Sequence, residues 1–402
     1  MSDRDCCIIS AVRTPIGSLS GSLGSLSAAQ LGAHAMRAAL DKASVDAGAV
    51  QEVFFGHVLS GGTGQHAARQ ASEQAGIRAP TTAINKVCAS GMKAIQLGAQ
   101  AIMLGLRDVV MVGGMESMTS APYVSASMRG GARMGHVSLE DSMVKDGLWD
   151  HCGADAAPKG QHMGSLAELC AERHGISRAE QDAYAAESYS RAAAAARGGK
   201  FSEIAAVEVK GKRGKPATMV VADDEVAARG ESTTPDTLGK MRTAFKRDGG
   251  TVTAGNASTI SDGAAALVLM SRAQAVAVGA KIIATIRGFG DAAVQPEHFT
   301  DAPAAAVPLA LAHAKISIDT VDYFEINEAF AAVAIANMRL LKLDPAKVNV
   351  YGGAVAIGHP LGCSGARIVC TLLSVLLQEG GKCGVAAVCN GGGGASALVL
   401  SM

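Results

Sequence analysis

Aromatic residues are scarce in this chain. They make up 3% of its 402 residues, with a single tryptophan, so the core must be built from Ala, Val, Ile, Leu and Met. An excess of one charge is missing as well, since 36 Lys and Arg balance 36 Asp and Glu. A neutral chain lacks the electrostatic footprint of a nucleic-acid binder. No uninterrupted apolar run approaches the roughly 18 residues of a membrane span, so no membrane partner is expected. Met1 to Asp5 is polar and acidic, unlike a secretory signal or an Arg-rich transit peptide. The ending Leu400-Ser401-Met402 is not a peroxisomal Ser-Lys-Leu. None of the nine cysteines has a partner at C-x-x-C spacing, the spacing of many zinc and redox sites. Reduced thiols in a cytoplasmic protein are the expectation.

What is present is ample core material. Hydrophobic residues make up 49% and charged residues 18%, which argues against disorder. The length suits two or three modules. Forty-eight glycines exceed the usual ~7% and cluster in short runs, implying tight turns or close backbone approach to a ligand. Strands are expected at Cys6–Val12, Glu52–Leu59 and Val109–Val112, with helices at Ala28–Leu40, capped by Ser27, and Gly91–Leu104. Strand signals resume near Leu267–Met270, Ile282–Ile286, Tyr323–Ile326 and Val385–Val388. The alternation predicts an α/β fold with parallel sheets. From about Ala121 to Asp248 the chain is more polar, with one long helical stretch at Ser177–Ala196, and reads as an inserted loop domain.

Two stretches resemble each other. Ser90-Gly91 opens a helix that leads to a buried strand and Gly113-Gly114. Ser364-Gly365 opens another that leads to a buried strand and Gly391-Gly392. Such a repeat predicts two similar halves with a site between them.

Four motifs offer chemistry. Cys88, in Asn85-Lys86-Val87-Cys88-Ala89-Ser90-Gly91, precedes a helix N-terminus, where unpaired N–H groups favour thiolate. It is either a nucleophile or a buried structural cysteine. His359 sits among glycines and before Pro360, either held rigidly as a general base or placed in a turn with a satisfied hydrogen bond. Cys389 closes a strand before four glycines whose N–H groups suit an oxyanion; the alternative is a flexible turn. Asn327, in Asn327-Glu328-Ala329-Phe330, either caps a helix or holds a water in a pocket.

Taken together, these motifs resemble the thiolase family. Further matches are Val12-Arg13-Thr14-Pro15-Ile16-Gly17, Gly113-Gly114-Met115-Glu116-Ser117-Met118, His162-Met163-Gly164, Gly255-Asn256-Ala257-Ser258 and Asp262-Gly263-Ala264. The resemblance covers nearly the whole chain. Asn85 to Lys93 looks like the short-chain, acetoacetyl-CoA branch. It implies two similar βαβαβαββ halves: residues 1–120 with 249–272 returning to them, and 273–402. Residues 121–248 would form a loop domain for CoA binding and tetramerisation.

The resemblance also implies roles. Cys88 would carry an acetyl group, with His359 taking its proton. Cys389 would deprotonate a second acetyl-CoA. His359 plus a water on Asn327 would form one oxyanion hole, and the N–H groups of Cys88 and Gly391 the other. CoA contacts are implied at His162, Met163, Arg229, Thr237 and Ser258. At Thr237 the family varies between Lys and Ser, which departs from this chain. Residues 210–247 hold four more cations than anions, which suits CoA phosphates or simply a solvated face. No cofactor is required, and CoA thioesters are the substrates. A potassium ion is implied at Tyr189, Ala254, Gly255, Ala257 and Val355, mainly through backbone carbonyls. A homo-oligomer, a tetramer by resemblance, is expected in the cytoplasm, serving lipid metabolism and the mevalonate pathway. The competing expectations are a 3-ketoacyl-CoA thiolase of broader chain length and a non-catalytic CoA-binding homologue. A ketoacyl synthase fits less well, because its site uses one Cys and two His.

Overall fold

The structure is a computed structural model that describes residues 2–152, 160–210 and 218–402, without the side chains at 228, 229 and 231. The first half begins with β1 (Cys6–Arg13), α1 (Ala28–Ala43), β2 (Glu52–Gly56), α2 (Ala67–Gln74), β3 (Thr81–Ile84), α3 (Ser90–Met103) and β4 (Val109–Ser117). The intervening segment carries α4 (Met163–Arg173) and α5 (Arg178–Arg197), and β5 (Ser261–Ser271) follows it. The second half holds β6 (Ala284–Ala293), α6 (Ala302–Ala314), β7 (Tyr323–Ile326), α7 (Ala331–Leu341), α8 (Leu361–Glu379), β8 (Cys383–Asn390) and β9 (Gly394–Ser401).

These strands lie in the order β7-β8-β9-β6-β1-β5-β4-β2-β3. Counted within each half, the order is third, second, fourth, fifth, first. In the second half the third position is marked by a parallel bridge from Phe324 to Val348. The halves meet through their first strands, with Cys7 opposite Thr285 and Ile8 opposite Ala284. The internal similarity read from the sequence is therefore a repeat of one strand order.

The sheet is mixed, which corrects the parallel expectation. β2 pairs parallel with β3 and β4, as does β7 with β8. β5 and β9 run antiparallel to both of their neighbours. The cause is the link from fourth to fifth strand. In the second half it is the turn Gly391–Gly393, and so short a link must reverse the chain. Gly392 and Gly393 have φ of 82° and 78°, which glycine adopts without strain. In the first half the same link carries residues 118–260, so the insertion stands where the repeat has three glycines.

Both faces of the sheet are covered. On β4, Val110 and Val112 join the core around α3 and α8, while Val109 and Met111 join the core with α1 and α2. On β8, Ala386 and Val388 face the first core, and Val385 and Ala387 pack with α6 and α7. Helix α8 is long and apolar enough to cross a membrane, yet it is almost entirely buried here. It crosses α3 at two glycines. A Cβ at Gly91 would lie 2.8 Å from the Ala366 nitrogen, and one at Gly365 would lie 2.5 Å from the Met92 nitrogen. Such contact needs bare backbone on both helices.

Helix starts match the capping signals. Ser27 accepts from the Gln30 N–H in a capping box, and Ser177 caps α5. Two boundaries differ from expectation. β2 stops at Gly56, because Val58 and Leu59 turn their N–H groups to Glu116. Gly113 and Gly114 lie inside β4, not past its end. A Cβ at Gly114 would sit 2.0 Å from the Gly362 oxygen, so this glycine lets the start of α8 touch the strand. The charged stretch also contains a hairpin, Val207–Lys210 against Thr218–Val221.

Candidate active site

Cys88 sits on the turn between β3 and α3. Val87 before it has φ of 48°, a costly conformation for a β-branched residue. The turn is held on both sides. Val87 N–H donates to Asn85 Oδ1 at 3.0 Å, and Ser90 Oγ donates to the Val87 oxygen at 2.6 Å while accepting from Lys86 N–H at 2.8 Å. Lys86 Nζ reaches across to Asp291 Oδ1 and Ser396 Oγ, at 2.6 and 2.8 Å, in the other half. The N–H groups of Gly391 and of Cys88 itself act on the Cys88 sulfur and favour its thiolate form.

His359 comes from the turn before α8. Gly358 has φ of 119°, and a Cβ there would lie 2.4 Å from Ser261 Oγ. His359 N–H donates to the Thr259 oxygen at 3.1 Å. Its Nδ1 lies 2.6 Å from Ser364 Oγ, which donates its proton to the Pro360 oxygen at 2.8 Å. A hydroxyl has one proton, so Nδ1 carries the hydrogen and donates to Ser364. Nε2 is then an unprotonated acceptor, to which Asn327 Nδ2 donates a long hydrogen bond of 3.5 Å. Asn327 Oδ1 is buried without a partner among the described residues. Phe330, not Asn327, precedes α7, so the capping alternative for Asn327 falls.

Cys88 and His359 line one chamber of about 550 Å³, with Leu148, His162, Met163, Phe245, Ser258 and Phe330 among its walls. Cys389 is fully buried behind Met163 and Phe330. The thiolate expectation for Cys88 is corrected. Burial pushes its thiol up to about 12, outweighing the two N–H bonds. Cys389 is likewise pushed well up, by burial and then by Cys88. Burial, with Arg367 nearby, pushes His359 down to about 3. The site thus has one neutral thiol and a neutral base on the chamber wall, and a second neutral thiol buried behind it. A helix end does favour thiolate, but full burial is the larger effect here.

The other expected residues divide. His162, Met163 and Ser258 line the chamber. The His162 ring stacks on Phe245 with centroids 4.7 Å apart, and Ser258 Oγ donates to the Ala329 oxygen at 2.8 Å. Thr237 does not join them. It is exposed, and its hydroxyl donates to the Thr234 oxygen at 2.9 Å in the cap of a short helix. The Arg229 side chain lies outside the described residues. Ala254 and Ala257 are on the chamber wall, while Tyr189 and Val355 share a buried cluster with Leu238. Gly255 packs on that same Leu238, so three of the five positions share one side chain. Leu148, Phe245 and Phe330 were not anticipated as walls. Their signal was faint: large apolar residues placed singly in polar or alanine-rich stretches.

The Thiolase, N-terminal domain family matches residues 6–273, and the Thiolase, C-terminal domain family matches 280–402. The chain belongs to the thiolase family. Among curated thiolase relatives, acetyl-CoA acetyltransferase 2 of Arabidopsis thaliana is 55% identical, covering 99% of this chain and 97% of its own. The cytosolic acetyl-CoA acetyltransferase of Gibberella zeae is 53% identical, over 98% and 97%. That of Schizosaccharomyces pombe is 51% identical, over 100% and 99%. For a thiolase, the site has the right inventory: one thiol on the chamber wall and one buried behind it, an unprotonated imidazole nitrogen, and N–H groups that favour the thiolate of Cys88.

Proposed function

We propose that this thiolase is an acetyl-CoA acetyltransferase, joining two acetyl-CoA into acetoacetyl-CoA and CoA, and running the reverse thiolysis. One observation carries the residue roles: the Nε2 lone pair of His359 opens on the same chamber as the Cys88 thiol. In the first half-reaction His359 Nε2 takes the Cys88 proton as the sulfur attacks the thioester carbonyl. The carbonyl oxygen becomes an oxyanion beside the N–H groups of Cys88 and Gly391. CoA leaves as a thiolate and takes its proton from Cys389, so that a Cys389 thiolate and a His359 imidazolium remain. In the second, the Cys389 thiolate takes the α-proton of another acetyl-CoA while its carbonyl oxygen rests against His359 Nε2–H and a water on Asn327. The carbanion attacks acetyl-Cys88, the Cys88–acyl bond breaks, and His359 returns its proton to the Cys88 sulfur. Both thiols start and finish neutral, in keeping with their burial.

CoA enters past Phe245 and Leu148. No chamber-lining residue is charged, but Arg242, Lys246 and Arg247 are exposed around Ala244 and Phe245, a setting for the phosphates of CoA. A potassium ion belongs to the same reading. Tyr189, Ala254, Gly255, Ala257 and Val355 would hold it through main-chain oxygens and steady the pantetheine wall; a melting point higher in potassium than in sodium would support it. A homotetramer in the cytosol completes the proposal, consistent with a place in the mevalonate pathway. Its supports are the open edge of β3, with Thr82 and Ala83 exposed, and exposed Tyr123, Met128, Met134 and Leu139 on the insertion. The deciding experiment is turnover of acetoacetyl-CoA with CoA, compared with longer 3-ketoacyl-CoA. Turnover confined to the four-carbon substrate supports the proposal. Equal rates on long chains would replace it with a broad-range thiolase, and no turnover with a non-catalytic homologue.

A further inference from the structure

We propose that Glu116, in its ionised form, is the positioning residue that sets the His359 turn against Cys88. Glu116 is fully buried near the end of β4. Its Oε2 accepts from Gly362 N–H at 2.9 Å and Val58 N–H at 3.1 Å, and its Oε1 accepts from Leu59 N–H at 3.1 Å. One carboxylate therefore ties the loop after β2 to the first turn of α8. Gly362 stands between His359 and Ser364, the serine that fixes the imidazole. The helix start also places its positive end on the carboxylate.

Three N–H donors are held most strongly by a carboxylate, whose hydrogen bonds are charge-assisted. Protonation of Glu116 turns them into weaker neutral bonds, and the Gly362 bond among them is the one that carries the His359 turn. The surroundings bring protonation within reach. Burial, opposed by the three N–H bonds and aided by Asp262 on β5, pushes Glu116 up to about 7. His57 Nε2, in the loop after β2, lies 3.4 Å from Oε1. Burial pushes His57 down to about 4, so it brings no positive charge. Cys88 before α3 and Cys363 on α8 also feel Glu116, and burial keeps both as thiols.

The proposal rests on Cys88 as the acyl acceptor, and one experiment separates the two. The rate of Cys88 acetylation by acetyl-CoA in a single turnover is followed by intact mass from pH 6 to 9. The wild-type rate is expected to fall below about pH 7, approaching tenfold per pH unit as the inactive protonated form takes over. In Glu116→Gln the rate should be at least about tenfold lower, with KM nearly unchanged, and flat across this range, because nothing titrates at the clamp. A flat wild-type profile, or the same acid limb in Glu116→Gln, would overturn the clamp while leaving Cys88 as acceptor. No acetyl on Cys88 at any pH would overturn both readings. Should Glu116→Gln not fold, Glu116→Asp keeps the charge on a shorter stem. It must then react more slowly yet keep an acid limb, and its absence there counts against the proposal.

Discussion

The two halves share a strand order but spend it on different chemistry. After the third strand position, the first half places Cys88 on a strained turn, and the second places His359 on a glycine-proline turn. After the second strand the first half has His57, neutral, with its Nε2 3.4 Å from Glu116 Oε1. The second half has Asn327, facing His359. At the end of the fourth strand the first half has Glu116, the proposed clamp, and the second has Cys389, the proposed acid/base thiol. The repeat thus supplies two sets of equivalent positions around a helix pair. In the proposed reaction one set holds the acyl group and the frame, and the other moves protons. A symmetric scaffold does not require a symmetric reaction.

The sharpest break in that comparison is between the two cysteines. Cys389→Ala should still take acetyl from acetyl-CoA onto Cys88 but lose condensation by about 10²–10⁴-fold, the usual cost of a missing base. Cys88→Ala should take no acetyl, because the covalent intermediate cannot form. Intact-mass spectrometry with acetyl-CoA tells them apart, and a label on Cys389 would reverse the roles.

A smaller effect is expected at the serine that orients the base. Ser364→Ala removes the acceptor for His359 Nδ1–H and frees the ring to move its proton to Nε2. A neutral hydrogen bond contributes about 1 kcal/mol, so kcat should fall about five- to tenfold with KM little changed. Equivalent Ser90 bonds only backbone, so Ser90→Ala should lower the melting point more than it slows the step at the imidazole. Steady-state kinetics beside thermal melts of both variants checks the contrast.

Stability changes come next. Gly365→Ala drives a methyl into the Met92 backbone, where neither helix can yield cheaply. Overpacking of this kind costs about 1–3 kcal/mol, measurable by denaturant unfolding. Unfolding curves that superpose would mean that the crossing is looser than described. The smallest effect is at the joint between halves, where Asp291 meets Lys86 and Lys93 at 2.6 and 2.7 Å. Burial raises Asp291, but the bonds from Lys86, Lys93 and Ser396 prevail and hold it at about 2. Its folded value is below the ordinary carboxylate value of about 3.9. The contribution is therefore present above that value and is lost as pH falls toward 2. These side chains are partly exposed, so Asp291→Asn should cost no more than about 1 kcal/mol at neutral pH. The difference from wild type should shrink in melts at pH 3.

Much of this was written locally. The turns at Cys88, His359 and Cys389 announce themselves by glycine, proline and a following apolar helix, because backbone geometry is set by neighbours in sequence. The repeat was visible for the same reason. What escaped was non-local. The strand directions depend on which links are short, and the mixed sheet followed from Gly391–Gly393. The protonation of Cys88 follows burial by distant elements, which outweighs the local helix end. Glu116 stood inside a recognised motif, yet its three partners come from residues 58, 59 and 362. Thr237 stands at a family CoA position where its residue departs from the family, and it spends its hydroxyl on its own helix cap.

The scarcity of aromatics has a practical side. The single tryptophan, Trp149, meets the His162 ring edge-on at 6.2 Å, and His162 is part of the chamber wall. Tryptophan emission from the whole chain therefore originates beside the chamber. Occupancy of the chamber should be visible as a change in tryptophan fluorescence, excited where the five tyrosines do not absorb, without a label.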